Sequence, residues 1–543
     1  MPSHHPGRVA GRRGFIALLL APAFLFGAAA PSSGQGSVPG ASGGVYRRPL
    51  EHDPATLDPA RVRDVYSLAV SQQLFDGLVR FDQTIAVVPA LAEFWKASRD
   101  GLNWTFTLRK GVTFHHGREV TAEDVVYSFT RIIDPRTKSG AADLFLNIRG
   151  AREFREGRTP SVTGLRAVDR YKVQFELIDS PVPFVSTLAV GHAKIVPRDV
   201  VERDPEGFGR HPVGTGPFRF VRWERGREIV LAANPGYFDG PPKLDQVVYR
   251  IFAGGPWASM YEEFERGHLE DAPIPTQDYQ RILADRRYTY VKRSMISIRF
   301  YGLNMRVPPL DDRRVRQALN HAIDREALIG EVHSGRFTPA RGILPPGTQG
   351  YNPRLVPYAY QPDRARELLA EAGYPGGRGL PTLEIWSSVK HPDILREHEY
   401  IQRSLEAVGV RVRFNYQTDW PTFSRALDEG KFPAFLYAWY ADVPDPDNFL
   451  SKLFHSRSPR NFFGYANAAI DELLVAARRE RDPGRRTELY RRAEQMVLDD
   501  APFIPILHHT YERVFQPYVR SIEVNGLGDP YIPLRKIWLD RKP

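Results

Sequence analysis

The sequence predicts a protein of more than one lobe, of α/β or α+β class, on three observations. Residues 104–109 (WTFTLR) and 171–177 (YKVQFEL) alternate strictly between apolar and polar, as half-buried strands do. Val315, Ala318, Leu319, Ala322 and Ile323 recur at i, i+3, i+4, i+7 and i+8, the stripe of an amphipathic helix. The two kinds of segment interleave along 543 residues, enough for two to four domains at roughly 150 residues each.

Taken in order, the chain opens with Arg12 and Arg13, an apolar run from Gly14 to Phe26, and then Gly27-Ala28-Ala29-Ala30. A basic start, a short apolar stretch and small residues predict a secretory signal peptide over 1–30. The run is shorter than the ~20 residues a spanning helix needs. The arginine pair before Phe15 resembles a twin-arginine export signal in part. Residues 31–44, rich in Pro, Gly and Ser, read as a flexible leader.

A helical period comes next, with Leu68, Ser71, Leu74, Phe75 and Leu78 on one side. Thr121-Ala122-Glu123-Asp124 predicts a capping box ahead of a helix that stops at Asp134-Pro135. Pro212 to Phe218 forms a tight turn feeding strands at 218–222 and 229–232. Gly214 and Gly216 read as turn glycines, because Pro217 blocks the helix start that a nucleotide loop requires. From Ile298 the pattern shifts towards helices. Apolar positions at 365–372 end at Gly373, and an amphipathic stretch at 394–408 ends at Gly409 before a strand at 410–414. Helices at 470–477 and 489–497, a strand at 503–507 and a Pro-broken tail complete the expectation.

One stretch stands out chemically. Ala438 to Leu450 reads AWYADVPDPDNFL, two adjacent aromatics followed by three carboxylates and two prolines. Proline fixes φ and removes a donor, so the run is expected to be a rigid loop, not a central strand or helix interior. It would hold an aromatic plate beside negative charge, suited to an organic ligand with a cationic end. A turn with exposed acids and a core Trp is the alternative.

Composition excludes several classes. With no cysteine there are no disulfides, thiolate metal sites, Cys nucleophiles or lipid-modified N-terminal Cys. The net charge is +10, from 74 basic and 64 acidic residues. Arg8, Arg12 and Arg13 lie in the first thirty residues, so removing them leaves +7. The rest of the charge is interleaved and reads as solvated surface, with no basic-aromatic cluster for nucleic acid. No HExxH, GxSxG or Walker motif is present. The pairs His115-His116 and His508-His509 are read as structural, since neighbours in extended chain face opposite ways.

Several stretches in order resemble one family, the large extracellular solute-binding proteins of ABC importers of the oligopeptide-, dipeptide- and nickel-binding type (family 5). They are Leu74-Phe75-Asp76-Gly77-Leu78-Val79, the 104–115 strand and turn, Thr121 to Ser128, Gly214-Thr215-Gly216-Pro217-Phe218, Asn234-Pro235-Gly236-Tyr237-Phe238, Asp311 to Asn320, and the 438–450 run. The resemblance covers nearly all of the chain after the leader. It implies a periplasmic-binding-protein-like fold of type II, with two lobes around a hinged cleft and an extra domain on the first. The implied parts are 45–90, 208–297 and 503–543 for lobe I, 91–207 for the extra domain, and 298–502 for lobe II.

The resemblance further implies a monomeric periplasmic receptor without catalysis or cofactor, which delivers a short peptide to a membrane permease. The same fold elsewhere takes nickel chelates, haem, opines or oligosaccharides; a secreted hydrolase is the rival of a different class. Peptide-binding relatives carry a Trp-x-x-Asp whose Asp holds the ligand's ammonium group. Its match is Trp439-Tyr440-Ala441-Asp442, making Asp442 the expected charge anchor and Trp439 and Tyr440 the cleft wall. Asp445 and Asp447 are left to turn-making. The Arg that oligopeptide binders place three residues before the Trp is Leu436 here. Arg396, on the helix beginning near Ile394, falls where dipeptide-type relatives place arginines, and the resemblance makes it the expected partner for a ligand carboxylate.

Overall fold

The computed structural model describes residues 43–179, 183–252, 257–355 and 358–541. The signal peptide expected at 1–30 and nearly all of the 31–44 leader lie outside them. Near the start, Val45–Leu50 joins a four-stranded sheet ordered Val45–Leu50, Gln246–Ile251, Glu228–Ala233, Phe218–Glu224. A second four-stranded sheet, Ala92–Ala97, Asn103–Leu108, Lys172–Glu176, Leu165–Asp169, is antiparallel throughout. Its alternation has the expected outcome: Phe106, Leu108, Val173 and Phe175 are buried and pack with Val125, Phe129 and Ile132 of the helix Ala122–Ile133. That helix begins as predicted, with the Thr121 N–H donating to Asp124 Oδ2 at 2.9 Å.

The helix Val65–Leu74 is shorter than its apolar stripe suggested. Phe75 is already extended, yet Phe75 and Leu78 remain buried, so the period continued past the helix that produced it. The 212–218 turn closes over this helix end. The Gly216 N–H donates to the Leu74 carbonyl at 2.9 Å, and a Cβ on Gly214 would stand 2.0 Å from the same oxygen. The glycines are there for close backbone approach.

The largest sheet has six strands in the order Thr338–Pro339, Phe503–His508, Ser297–Leu303, Ala434–Tyr440, Leu383–Ser387, Val412–Tyr416. Helices Arg313–His321, Arg325–His333, Pro362–Glu371 and Pro392–Glu406 pack around it. Here the expectation of a loop from Ala438 is corrected. Ala438, Trp439 and Tyr440 belong to the central strand, paired with Arg299, Ile298 and Ser297. The prolines act only on the chain beyond the strand: Pro446 caps the helix Asp447–Phe454, and the loop shrinks to 441–446.

The expected Pro-broken tail also contains a well-paired strand. Thr510–Phe515 is the middle of a three-stranded sheet, between Asp271–Pro273 and Thr289–Ser294. The chain therefore passes between the three- and six-stranded sheets twice, at Met295-Ile296 and at His509. The two crossings lie side by side. The Met295 N–H donates to the His509 carbonyl at 2.9 Å, Ser297 Oγ meets His509 Nδ1 at 3.0 Å, and His508 Nδ1 meets the Ser297 carbonyl at 2.9 Å.

Candidate functional site

The three carboxylates of the 441–446 loop and its adjoining helix have separate fates. Asp445 is buried and takes both arms of Arg486, at 2.9 and 2.7 Å, while accepting the Asp447 N–H at 2.9 Å. Asp447, at the start of its helix, accepts the Ser451 hydroxyl at 2.6 Å. Both shape the turn. Asp442 is exposed, and its carboxylate has no hydrogen-bond or ion-pair partner among the described residues. It faces the other half of the molecule: its charge acts on His192 and on Tyr531, whose hydroxyl accepts the Gly191 N–H at 3.1 Å. Burial lowers the pKa of His192, and Asp442 opposes that shift. Next to Asp442, Val443 is buried among the side chains of the antiparallel sheet's core. The loop thus spans the seam between the six-stranded sheet and the N-terminal part of the chain.

Asn448 holds this arrangement in place. Its Oδ1 accepts from both the Trp439 indole N–H and the Asp442 backbone N–H, each at 3.2 Å. Trp439 is partly buried against the core beneath the six-stranded sheet, so one side of the ring is structural. Tyr440 is 50% exposed and stacks on His509, with ring centroids 5.0 Å apart and planes 25° from parallel. The exposed aromatic wall therefore rests directly on the residue where the chain crosses between sheets.

Arg396 lies near the start of the helix Pro392–Glu406, half-exposed and paired with Asp393 one turn earlier. Asp393 also accepts the Thr276 hydroxyl at 3.1 Å, a contact between this helix and the 276–278 turn beyond the seam. The guanidinium thus stands at a rim, already matched by a carboxylate.

A buried group escaped the sequence reading. Glu397, fully buried on the same helix, accepts from Arg299 at 3.0 Å, Tyr301 at 2.9 Å and His333 at 2.9 Å. Burial pushes its pKa up, but Arg299 and the His333 contact outweigh it and hold the carboxyl at about 2. Arg299 sits opposite Ala438 on the neighbouring strand, one position from Trp439. No local pattern signals such a cluster, because its members are far apart in sequence.

The histidine pairs behave as structural groups. His115 Nε2 meets the Gly216 carbonyl at 3.0 Å, and burial lowers its pKa to about 4. His116 turns outward to Asp199. No cluster of three or more His, Cys, Asp or Glu placed to hold a metal occurs among the described residues.

Two sheet-centred bodies joined by paired crossings, with an aromatic and a carboxylate on the seam, define a solute-binding protein. Residues 86–461 match the family model described as bacterial extracellular solute-binding proteins, family 5 Middle, and the chain belongs to that family. Its members bind solutes and are not enzymes. The chain is 30% identical to the dipeptide-binding protein of Escherichia coli strain K12, over 85% of this chain and 88% of that one. It is also 30% identical to heme-binding protein A of Haemophilus influenzae, over 88% and 89% of the two chains. Among solved structures, the ABC transporter-associated periplasmic binding protein DppA from Helicobacter pylori, in complex with the peptide STSA, superposes with a TM-score of 0.76. That match is 28% identical and covers 92% of this chain and 98% of that one.

Proposed function

We propose that the protein is the periplasmic receptor of an ABC importer, and that it captures a di- or short peptide between two lobes and presents it to the membrane permease. The observation that carries this is Asp442, an exposed carboxylate on the seam with no partner among the described residues. Closure of the lobes over a ligand would desolvate this anion, a cost that a paired peptide ammonium offsets. The ligand's body would lie against Trp439 and Tyr440. Arg396 would meet a ligand carboxylate only by sharing its guanidinium with Asp393. In this scheme lobe I would be 45–90, 208–296 and 509–543, the extra domain 91–207 and lobe II 297–508, which moves residues 503–508 from the first lobe to the second. The strand Phe503–His508 is hydrogen-bonded into the second lobe's sheet, so the swivel falls at 295–296 and 509.

The test is calorimetry of the purified protein against a dipeptide and tripeptide panel. We expect saturable binding, and a loss of about 2–5 kcal/mol, thirtyfold or more, in Asp442→Asn. Unchanged affinity in that variant would remove Asp442 from the role. A flat cargo on the same wall is the second reading, favoured by the heme-binding relative and by the exposed face of Tyr440. Native mass spectrometry of protein from its own host separates the two, since haem and a peptide differ in mass and absorbance.

A further inference from the structure

Apart from the Asp442 seam, the described residues line a half-open cavity of about 160 Å³. It lies between the end of the helix Val65–Leu74, the hairpin Val79–Phe81/Val87–Pro89 and the chain at 523–536. Its polar wall includes Gln73, Asp76, Arg80, Lys194, Tyr237 and Arg535. Nearly all of these groups are committed. Arg80 and Arg535 share Asp239, at 2.5 and 2.6 Å. Asp76 accepts the hydroxyls of Thr215 at 3.0 Å and Tyr237 at 2.9 Å. At the mouth, Lys536 pairs with Glu523 at 2.8 Å. Gln73 donates to the Ile532 carbonyl at 3.0 Å.

Lys194 is the exception. The residue is only 5% exposed, yet its ammonium has no hydrogen bond and no ion pair among the described residues. Asp76 is near enough for the two charges to be felt, but it makes no salt bridge with Lys194. Burial lowers the Lys194 pKa to about 8, with Asp76 opposing. The group remains largely charged at neutral pH. Its ammonium opens onto the cavity with no protein partner, so a bound oxyanion would take it in a charge-assisted hydrogen bond.

We propose that this cavity is a second ligand site, for a small anion whose carboxylate or phosphoryl oxygens take the Lys194 ammonium. A water's share of liquid volume is about 30 Å³, so the space suits an anion of roughly five to ten heavy atoms. Phe75, Phe81 and Tyr531 supply apolar wall for the remainder of such a molecule. The site borders the cargo seam at Tyr531, but Lys194 and the other polar wall residues lie outside the 438–450 run, so the two readings are tested separately.

Calorimetric titration of the purified protein with inorganic phosphate and, separately, with benzoate distinguishes the two oxyanion sources. We expect saturable millimolar or tighter binding of at least one probe, weakened about tenfold or more in Lys194→Met and restored in Lys194→Arg. Asp442→Asn should bind the same probe as tightly as the parent. A second readout covers a variant that folds poorly. In the parent protein with isotopically methylated lysines, the Lys194 resonance should titrate with a raised pKa when the probe is present. The proposal is overturned if neither probe binds, if Lys194→Met binds it equally well, or if the Lys194 pKa does not move.

Discussion

Asp442, Asp445 and Asp447 lie within six residues, and their side chains differ in nothing but surroundings. Asp445 is fixed by Arg486, and a buried pair that loses one member leaves an uncompensated charge. Arg486→Met should therefore lower stability by about 3–5 kcal/mol in urea denaturation; a loss below 1 kcal/mol would show that the pair is dispensable. Asn448→Ala should act differently. It removes two hydrogen bonds worth about 1 kcal/mol each, loosening Trp439 and the Asp442 backbone together. Cargo affinity should fall about tenfold alongside a stability loss of about 2 kcal/mol, and an unchanged affinity would mean that Asn448 serves folding alone. The sequence singled out the 438–450 run from its residue types, and the family resemblance ranked its acids. Neither could show Arg299, His333 and Tyr301 converging on Glu397, because those contacts join residues 64 to 98 positions apart.

Among elements, periodicity was readable wherever one face is solvated. The antiparallel sheet and the helix Ala122–Ile133 match the expected pattern. The strand Thr510–Phe515 did not announce itself, because it carries Glu512 and Arg513 into the interior. Arg513 reaches Asp271 at 2.8 Å, and Arg48 from the first strand reaches Asp529 at 2.7 Å and Asp271 at 3.3 Å. Charges that neutralise one another across distant strands look like surface when read singly. At the end of Val65–Leu74, replacing Gly214 by Ala would drive a Cβ into the Leu74 carbonyl. Because the neighbour is backbone, the turn must move, and we expect a markedly lower melting temperature by scanning calorimetry. An unchanged melting point would show that the turn yields freely.

At the scale of the whole molecule, stability should depend on pH in a way that individual groups can be made to reveal. His398 and His508 are buried, and burial lowers both to about 4. Each is neutral in the folded protein, so its contribution is present above about 6.5 and is lost as pH falls towards 4. That is worth up to ~3 kcal/mol per histidine. Burial raises Glu494 to about 7 against the hydrogen bonds from Leu344 and Ile343. Its contribution has the opposite sign, present below about 4.5 and lost as pH rises through 7. Denaturation measured from pH 7 to 4.5 should flatten in His508→Asn and steepen in Glu494→Gln; identical slopes in parent and variants would refute both assignments.

The two crossings at 295–296 and 509 also bear on how the chain is made. The six-stranded sheet places Phe503–His508 between Thr338–Pro339 and Ser297–Leu303, and the three-stranded sheet places Thr510–Phe515 at its centre. Neither sheet can close on the ribosome until residues 503–515 have been translated. A nascent chain halted at 502 would expose open strand edges in both bodies, a template for aggregation. Assembly of both sheets therefore waits on residues 503–515, the segment that locks both halves.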